Sequence, residues 1–314
     1  MLRLAHSWVW DSWFVFDGEK YHAFYLRASR ALGDPERRHR YPFVGHAISE
    51  DLVNWTEVAD AIAVSESPAF DSWTTWTGSV VKDDTGLWWM FYTGTSHEDG
   101  GFIQSIGAAT SIDLMTWTKE SSEALVRADE RWYELLDFEK WHDQAWRDPW
   151  VFKADDGLWH MFITARSIEG EDRFSRGVVG HAISKNLKEW EVRPPLTQTD
   201  SDFGHMEVFQ VEEIDGVPTL LWCSGLIHMS ASAQKKHKAG GMFSATGESL
   251  LGPFDINNAT RFPHDSIYAA RVIKKDNEWF MIGFKYHENG EFVGELTDPI
   301  PVTSKPGIGL IPKV

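Results

Sequence analysis

"ADDGLWHMFIT" (154–164) is a tight turn leading into an apolar, aromatic strand, and the chain repeats that pattern five times. The other copies are "FDGEKYHAFYL" (16–26), "DDTGLWWMFYT" (83–93), "EIDGVPTLLWC" (213–223) and "KKDNEWFMIGF" (274–284). A second pattern trails the first: "VGHAISEDLVNW" (44–55), "IGAATSIDLMTW" (106–117), "VGHAISKNLKEW" (179–190) and, more loosely, "MFSATGESLLGPF" (242–254). By subtraction the closing aromatics Trp55, Trp117, Trp190 and Phe254 lie 62, 73 and 64 residues apart. Recurrence of the same two patterns at broadly similar spacing marks a repeat architecture, with the differences taken up by loops.

Short β-branched and aromatic runs bounded by Gly, Asp and Asn are strand signals. Each unit therefore reads as a strand, a turn, a strand, a variable loop, a third strand and a Trp-bearing return. Five such units predict an all-β chain, a five-bladed β-propeller, which removes open sheet edges by radial repetition. The rival is a β-sandwich or solenoid made of the same repeats. Residues 1–314 are read as one domain, with blades near 8–60, 74–122, 146–195, 205–257 and 266–300. A tail, 301–314, is expected to cross the bottom. Only "DERWYELLDFEKWHDQAW" (129–146) departs from strand patterning, as a helical excursion or a long active-site loop.

Composition narrows the function. A formal net charge of −17 argues against nucleic acid or an anionic membrane as partner. The one cysteine, Cys223, excludes an internal disulfide and a cysteine-based zinc site. "MLRLAHSWVWDSW" carries no apolar run of signal-peptide length, so the chain is expected to be cytoplasmic. No cofactor is implied, and the oligomeric state is not legible.

Counting back from the turn glycines gives the candidate site. Gly18 less seven is Asp11 and Gly86 less seven is Ser79; Gly157 less nine is Asp148 and Gly216 less nine is Glu207. In a propeller the innermost strands run side by side around the axis, so Asp11, Asp148 and Glu207 should converge. Three facing carboxylates oppose one another's ionisation and are costly to bury. Such a cluster points to catalysis, with a calcium site or turn caps as the competing explanations. Paired carboxylates among aromatics suit glycoside hydrolysis: one stays protonated for the leaving oxygen while another is ionised to attack the sugar or activate water. Trp8, Trp10, Trp13, Trp73, Trp76, Trp146 and Trp150 lie near the strand starts, where some could stack on sugar faces.

Four stretches carry a family resemblance: "VWDSW" around Asp11, "WTGS" (76–79), "WRDPWVF" (146–152), and Glu207 ahead of its turn. In this order they resemble the motifs of levansucrases and β-fructofuranosidases, within a furanosidase clan that includes arabinanases and β-xylosidases. That resemblance implies a five-bladed propeller with Asp11 as nucleophile, Asp148 as transition-state stabiliser and Glu207 as acid/base. It places the active site on the propeller's central axis and implies substrate contacts from Trp10, Trp76, Thr77 and Arg147, with a small fructoside as substrate; Ser79, from the count, and His205, two residues before Glu207, are further substrate-contact candidates. Trp10-Asp11-Ser12-Trp13 stands where the invertase branch has Asn-Asp-Pro-Asn. His205 and Val208 stand where levansucrases have Glu and Arg, which argues against polymer synthesis. The alternatives are an inverting arabinofuranosidase or β-xylosidase with Asp11 as base, and a silent sugar-binding propeller.

Of the remaining residues, His46 and His181 occupy matched repeat positions and read as structural. Asp202 and His205 are candidates to tune Glu207. No metal is expected, because His6, His228, His264 and His287 lack ligand spacing. "QKKHK" (234–238) reads as a solvated loop over the channel mouth.

Overall fold

The computed structural model describes residues 1–313 as five antiparallel sheets arranged around an axis. The first holds β1 (Ser7–Phe16), β2 (Tyr21–Ser29), β3 (Phe43–Ser49) and β4 (Thr56–Glu57). The second holds β5 (Thr74–Lys82), β6 (Trp88–Thr95), β7 (Ser105–Ser111) and β8 (Thr118–Lys119). The third is β9 (Trp146–Lys153), β10 (Trp159–Arg166), β11 (Gly177–Ser184) and β12 (Glu191–Arg193). The fourth is β13 (Glu207–Ile214), β14 (Val217–Ser224), β15 (Gly241–Thr246) and β16 (Thr260–Arg261). In the fifth, β17 (Ile267–Lys275) pairs with β18 (Glu278–Glu288). β18 in turn pairs with β19 (Glu291–Leu296) near one end and with β20 (Ile300–Lys305) near the other, and β21 (Gly309–Pro312) completes the edge.

The expected C-terminal tail is thus part of the fifth blade. Residues 300–312 supply its outer strands, because β18 is long enough to pair with two successive partners. Contacts run from β1 to β5, β9, β13, β17 and back to β1, which closes the ring. The N-terminal residues tie that closure: Leu296 N–H donates to the Leu2 carbonyl at 3.0 Å, and Arg3 pairs with Glu295 at 3.0 Å.

Alternation along the second strands forms the core. In β10, Met161 and Ile163 pack with Trp89 and Phe91 of the second blade, while Phe162 packs with Leu220, Trp222 and Phe243 of the fourth. A period of two presents each strand to both neighbours. The core is therefore the set of interfaces between blades, sealed by Trp13, Trp146 and Trp222, which are all buried.

The second repeat has a specific local cause. Leu52, Leu114 and Leu187 adopt φ of 68°, 62° and 65°, a strained conformation for leucine. Each carbonyl accepts the indole N–H of the tryptophan three residues on, at 3.0, 3.0 and 2.9 Å. Asp51, Asp113 or Asn186 accepts the backbone N–H groups that follow. Asp113→Ala removes two 2.8 Å bonds of this kind. The expected cost is that of a lost cap, about 1 kcal/mol, or about 2 °C in Tm by calorimetry at pH 7. An unchanged Tm would mean that the indole bond alone holds the turn.

His46 and His181 are structural, as expected. His22 bridges Asp17 and His46, and His160 bridges Asp156 and His181, with ring nitrogens 2.9 Å apart in both blades. The segment 129–145 is irregular and not helical; buried Tyr133 donates to the Arg193 carbonyl at 2.7 Å and anchors it. "QKKHK" is not a plain loop, since its first three residues belong to the helix Ala231–Lys236, which buries Ala233. No helix among the described residues is long and apolar enough to cross a membrane.

Candidate active site

Every innermost strand carries a one-residue β-bulge, and those bulges decide which side chains meet on the axis. The register slips at Asp11 in β1, Thr77 in β5, Asp148 in β9, Val208 in β13 and Ala269 in β17. Four of these residues have positive φ: 28° at Asp11 and 58°, 58° and 44° at Asp148, Val208 and Ala269. A bulge bends its strand and re-aims the side chains beside it. It lets two consecutive residues, Arg147 and Asp148, both reach the charged cluster.

This register corrects the count from the turns. The turn in blade 3 spans five residues between the paired Lys153 and Trp159, and that in blade 4 spans two between Ile214 and Val217. Equal counts from glycine therefore do not mark equal positions. Glu207 precedes its bulge and matches Arg147, Trp10 and Trp76, while Val208 matches Asp11 and Asp148. Ser79 is displaced likewise. It is fully buried, and its Oγ accepts the Val151 N–H at 3.1 Å, joining blades 2 and 3 outside the pocket.

The three acids do come together, each with a different environment. Thr77 donates to Asp11 Oδ2 at 2.5 Å. Burial, reinforced by the charge of Asp148, still pushes the Asp11 carboxyl up to about 7. Asp148 Oδ2 accepts from Thr164 Oγ1 at 3.0 Å and the Val208 N–H at 3.3 Å, with Arg147 Nε 3.5 Å away. Burial raises this group to about 6, against the pull of Arg147. Glu207 accepts from Arg147 Nη2 and from the Tyr268 hydroxyl, both at 2.6 Å. Burial raises Glu207 too, but Arg147, His228 and the Tyr268 hydroxyl together outweigh it and hold the carboxyl below the ordinary glutamate value.

Trp10 is buried beneath the Arg38 guanidinium, 5.7 Å from its ring, and Trp76 donates its indole N–H to the His39 carbonyl at 3.0 Å. Of the other tryptophans, Trp13 and Trp146 are core, Trp150 lies under Arg271, Trp8 under Arg30, and Trp73 stacks on His97. His205 reaches Glu207 only through Arg147: its Nδ1 faces Arg147 Nη2 at 3.3 Å while its Nε2 accepts from Trp141 at 2.7 Å. Asp202 does not tune Glu207, because its Oδ1 accepts from Ser230 and Ser232 at the start of the short helix.

Tyr268, Thr164, Arg271 and Asp143 were not legible as site residues. Arg271 is buried beside the axis, donating to the Phe209 carbonyl. Tyr268 did leave a signal: it lies nine residues before Asn277 of its turn, as Glu207 does before Gly216, and both turns span two residues.

The description "Glycosyl hydrolases family 32 N-terminal domain" matches residues 11–291. The sucrose-6-phosphate hydrolase of Bacillus subtilis is 28% identical over 194 residues, 59% of this chain and 34% of that protein. A β-fructofuranosidase of Arabidopsis thaliana, insoluble isoenzyme CWINV6, is 23% identical over 270 residues, 80% of this chain and 45% of that protein. The chain thus spans a third to a half of the length of these two curated relatives. Among solved structures, an inulosucrase from Halalkalicoccus jeotgali bound to kestose superposes with a TM-score of 0.78 at 19% identity, covering 99% of this chain and 91% of that one. Bacillus subtilis levansucrase gives 0.73 at 15% identity, covering 97% and 86%. Both share the fold, and the alignment of the inulosucrase takes in the strands that complete the fifth blade.

Proposed function

Because this chain belongs to glycosyl hydrolase family 32, we propose that it is a retaining glycosidase acting on small fructofuranosides. The observation that carries the reading is the meeting of Asp11, Asp148 and Glu207 beside the bulges, each with its own set of donors. The names of its relatives, which include β-fructofuranosidases and sucrose-6-phosphate hydrolases, support the sugar.

Asp11 attacks the anomeric carbon, and Glu207 gives its proton to the leaving oxygen. A water then loses its proton to Glu207 and releases the sugar from Asp11. Asp148 accepts hydrogen bonds from sugar hydroxyls, and these strengthen as the oxocarbenium develops. In the resting site the protonation runs the other way: Asp11 holds its proton to about 7 and Glu207 stays ionised between Arg147 and Tyr268. The productive form needs Asp11 ionised and Glu207 protonated. Substrate favours it when the leaving oxygen displaces one of the two donors on Glu207, which raises that carboxyl.

Sugar release from sucrose, short fructo-oligosaccharides, levan, and aryl arabinofuranosides and xylosides tests the reading, with Glu207→Gln beside the parent chain. Fructose release is expected from the parent, reduced on the order of 10³-fold in the variant. Pentose release would replace the fructoside assignment and make Asp11 a base for water. Sugar binding without turnover would make the chain a lectin-like propeller.

A further inference from the structure

We propose that His142, His205 and His228, together with Asp143, bind one divalent transition-metal ion of the zinc class beside Arg147, the partner of Glu207. One ring nitrogen from each histidine lies within 4.8 Å of the other two. The three come from separate parts of the chain: the 129–145 segment, the lead into β13, and the short 3-10 turn Leu226–His228. Asp143 Oδ1 lies 3.8 Å from His142 Nε2 and 3.9 Å from His205 Nε2.

Two atoms of this cluster are unpartnered within the protein. Asp143 Oδ1 and His228 Nδ1 are both buried without a hydrogen bond. A buried acceptor in that state costs about 1–3 kcal/mol, and fixed structures normally satisfy it with a donor, a water or an ion. For the carboxylate an ion is the strongest remedy, because it supplies positive charge. Three imidazoles and one carboxylate favour zinc, copper or nickel over the hard, oxygen-seeking calcium and magnesium.

Geometry and charge set the cost. Bonds of about 2.0–2.1 Å to zinc place tetrahedral nitrogens roughly 3.4 Å apart, so the rings must draw together. His142, with a 60% exposed side chain, can move to do so. His205 exchanges its bond from the Trp141 indole for the ion. Arg147, 3.3 Å from His205 Nδ1, opposes the incoming charge, and Asp143 and Glu207 offset it. An ion here also competes for Asp143, whose Oδ2 stands 3.4 Å from Arg147 Nη1. Occupancy is thereby linked to the arginine that holds Glu207.

The chelator-treated full chain is titrated with Zn²⁺ by calorimetry and with Co²⁺ by visible absorption, without any sugar. The expected result is one ion per chain with micromolar or tighter affinity, and the intense d–d bands of four-coordinate Co²⁺. His142→Ala weakens binding by about tenfold or more, and His228→Ala does so independently, with near-ultraviolet circular dichroism confirming that both fold. Absence of binding would overturn the site. So would affinity that neither variant changes, or only the weak bands of six-coordinate Co²⁺, which would place the ion on surface carboxylates. None of these readouts depends on turnover, so the fructosidase assignment stands or falls separately.

Discussion

Asp11→Asn abolishes sugar release and, above pH 7, yields a more stable protein than the parent. On the proposed assignment the amide cannot form the glycosyl-enzyme bond, so kcat falls on the order of 10⁴-fold or more. The stability gain follows from the raised carboxyl. Folded Asp11 keeps its proton to about 7 against an ordinary value of 3.8. Between those values the folded state binds more protons than the unfolded chain. Its contribution is therefore intact below pH 4 and lost as pH rises through 7. Asparagine has no charge to lose, so the Tm difference between variant and parent should be small at pH 4 and positive by several degrees at pH 8. The order of a few kcal/mol is expected from a shift of this size. Thermal unfolding at the two pH values checks it. A variant less stable than the parent at pH 8 would mean that the Thr77 bond outweighs the cost of the buried charge.

Arg147→Met is the second large effect, with the opposite sign. Arg147, paired with Glu207 at 2.6 Å, is the largest of the contributions that offset its burial and favour the ionised carboxylate. Removing one member of a buried pair costs about 3–5 kcal/mol, because the other charge is left in a poor solvent. Glu207 can escape by taking a proton, which raises its carboxyl. The parent gains stability from ionised Glu207 above pH 4.5 and loses it as pH falls through the depressed value. In the variant this gain becomes a penalty at neutral pH. Urea unfolding should show a larger loss at pH 8 than at pH 5. Arg147→Met combined with Glu207→Gln should recover much of the loss, since no buried charge remains. Equal losses at both pH values, without recovery in the double variant, would show that Arg147 acts through its packing and its 3.0 Å bond to Gln104.

The legible part of the site was the part set by local pattern. Asp11, Asp148 and Glu207 stand in the first half of their strands, seven or nine residues ahead of turn glycines that Asp-Gly sequences announce. Ser79 went astray because the count assumed equal turns and because a bulge leaves no residue signature. Thr77 and Ser79 are equally plausible by composition, and only pairing across β5 and β6 shows that Thr77 is the extra residue. The C-terminal strands were missed for a related reason: "PIPVTSK" follows a third strand that already seemed to finish the blade, and only the length of β18 leaves room for both.

The sequence by itself determined the five repeats, the strand and turn of each, the ring they imply and the three carboxylates brought to its axis, because alternation and turn chemistry act over a few residues. Tertiary structure alone decided the rest. It set the bulge register that pairs Arg147 with Glu207, the hydroxyl of Tyr268 from another blade, and the order in which the acids hold protons. It also gathered His142, His205 and His228, which lie 63 and 23 residues apart by subtraction. Each of these depends on burial and on charges contributed by other blades, and such terms fall off with distance through space and not along the chain.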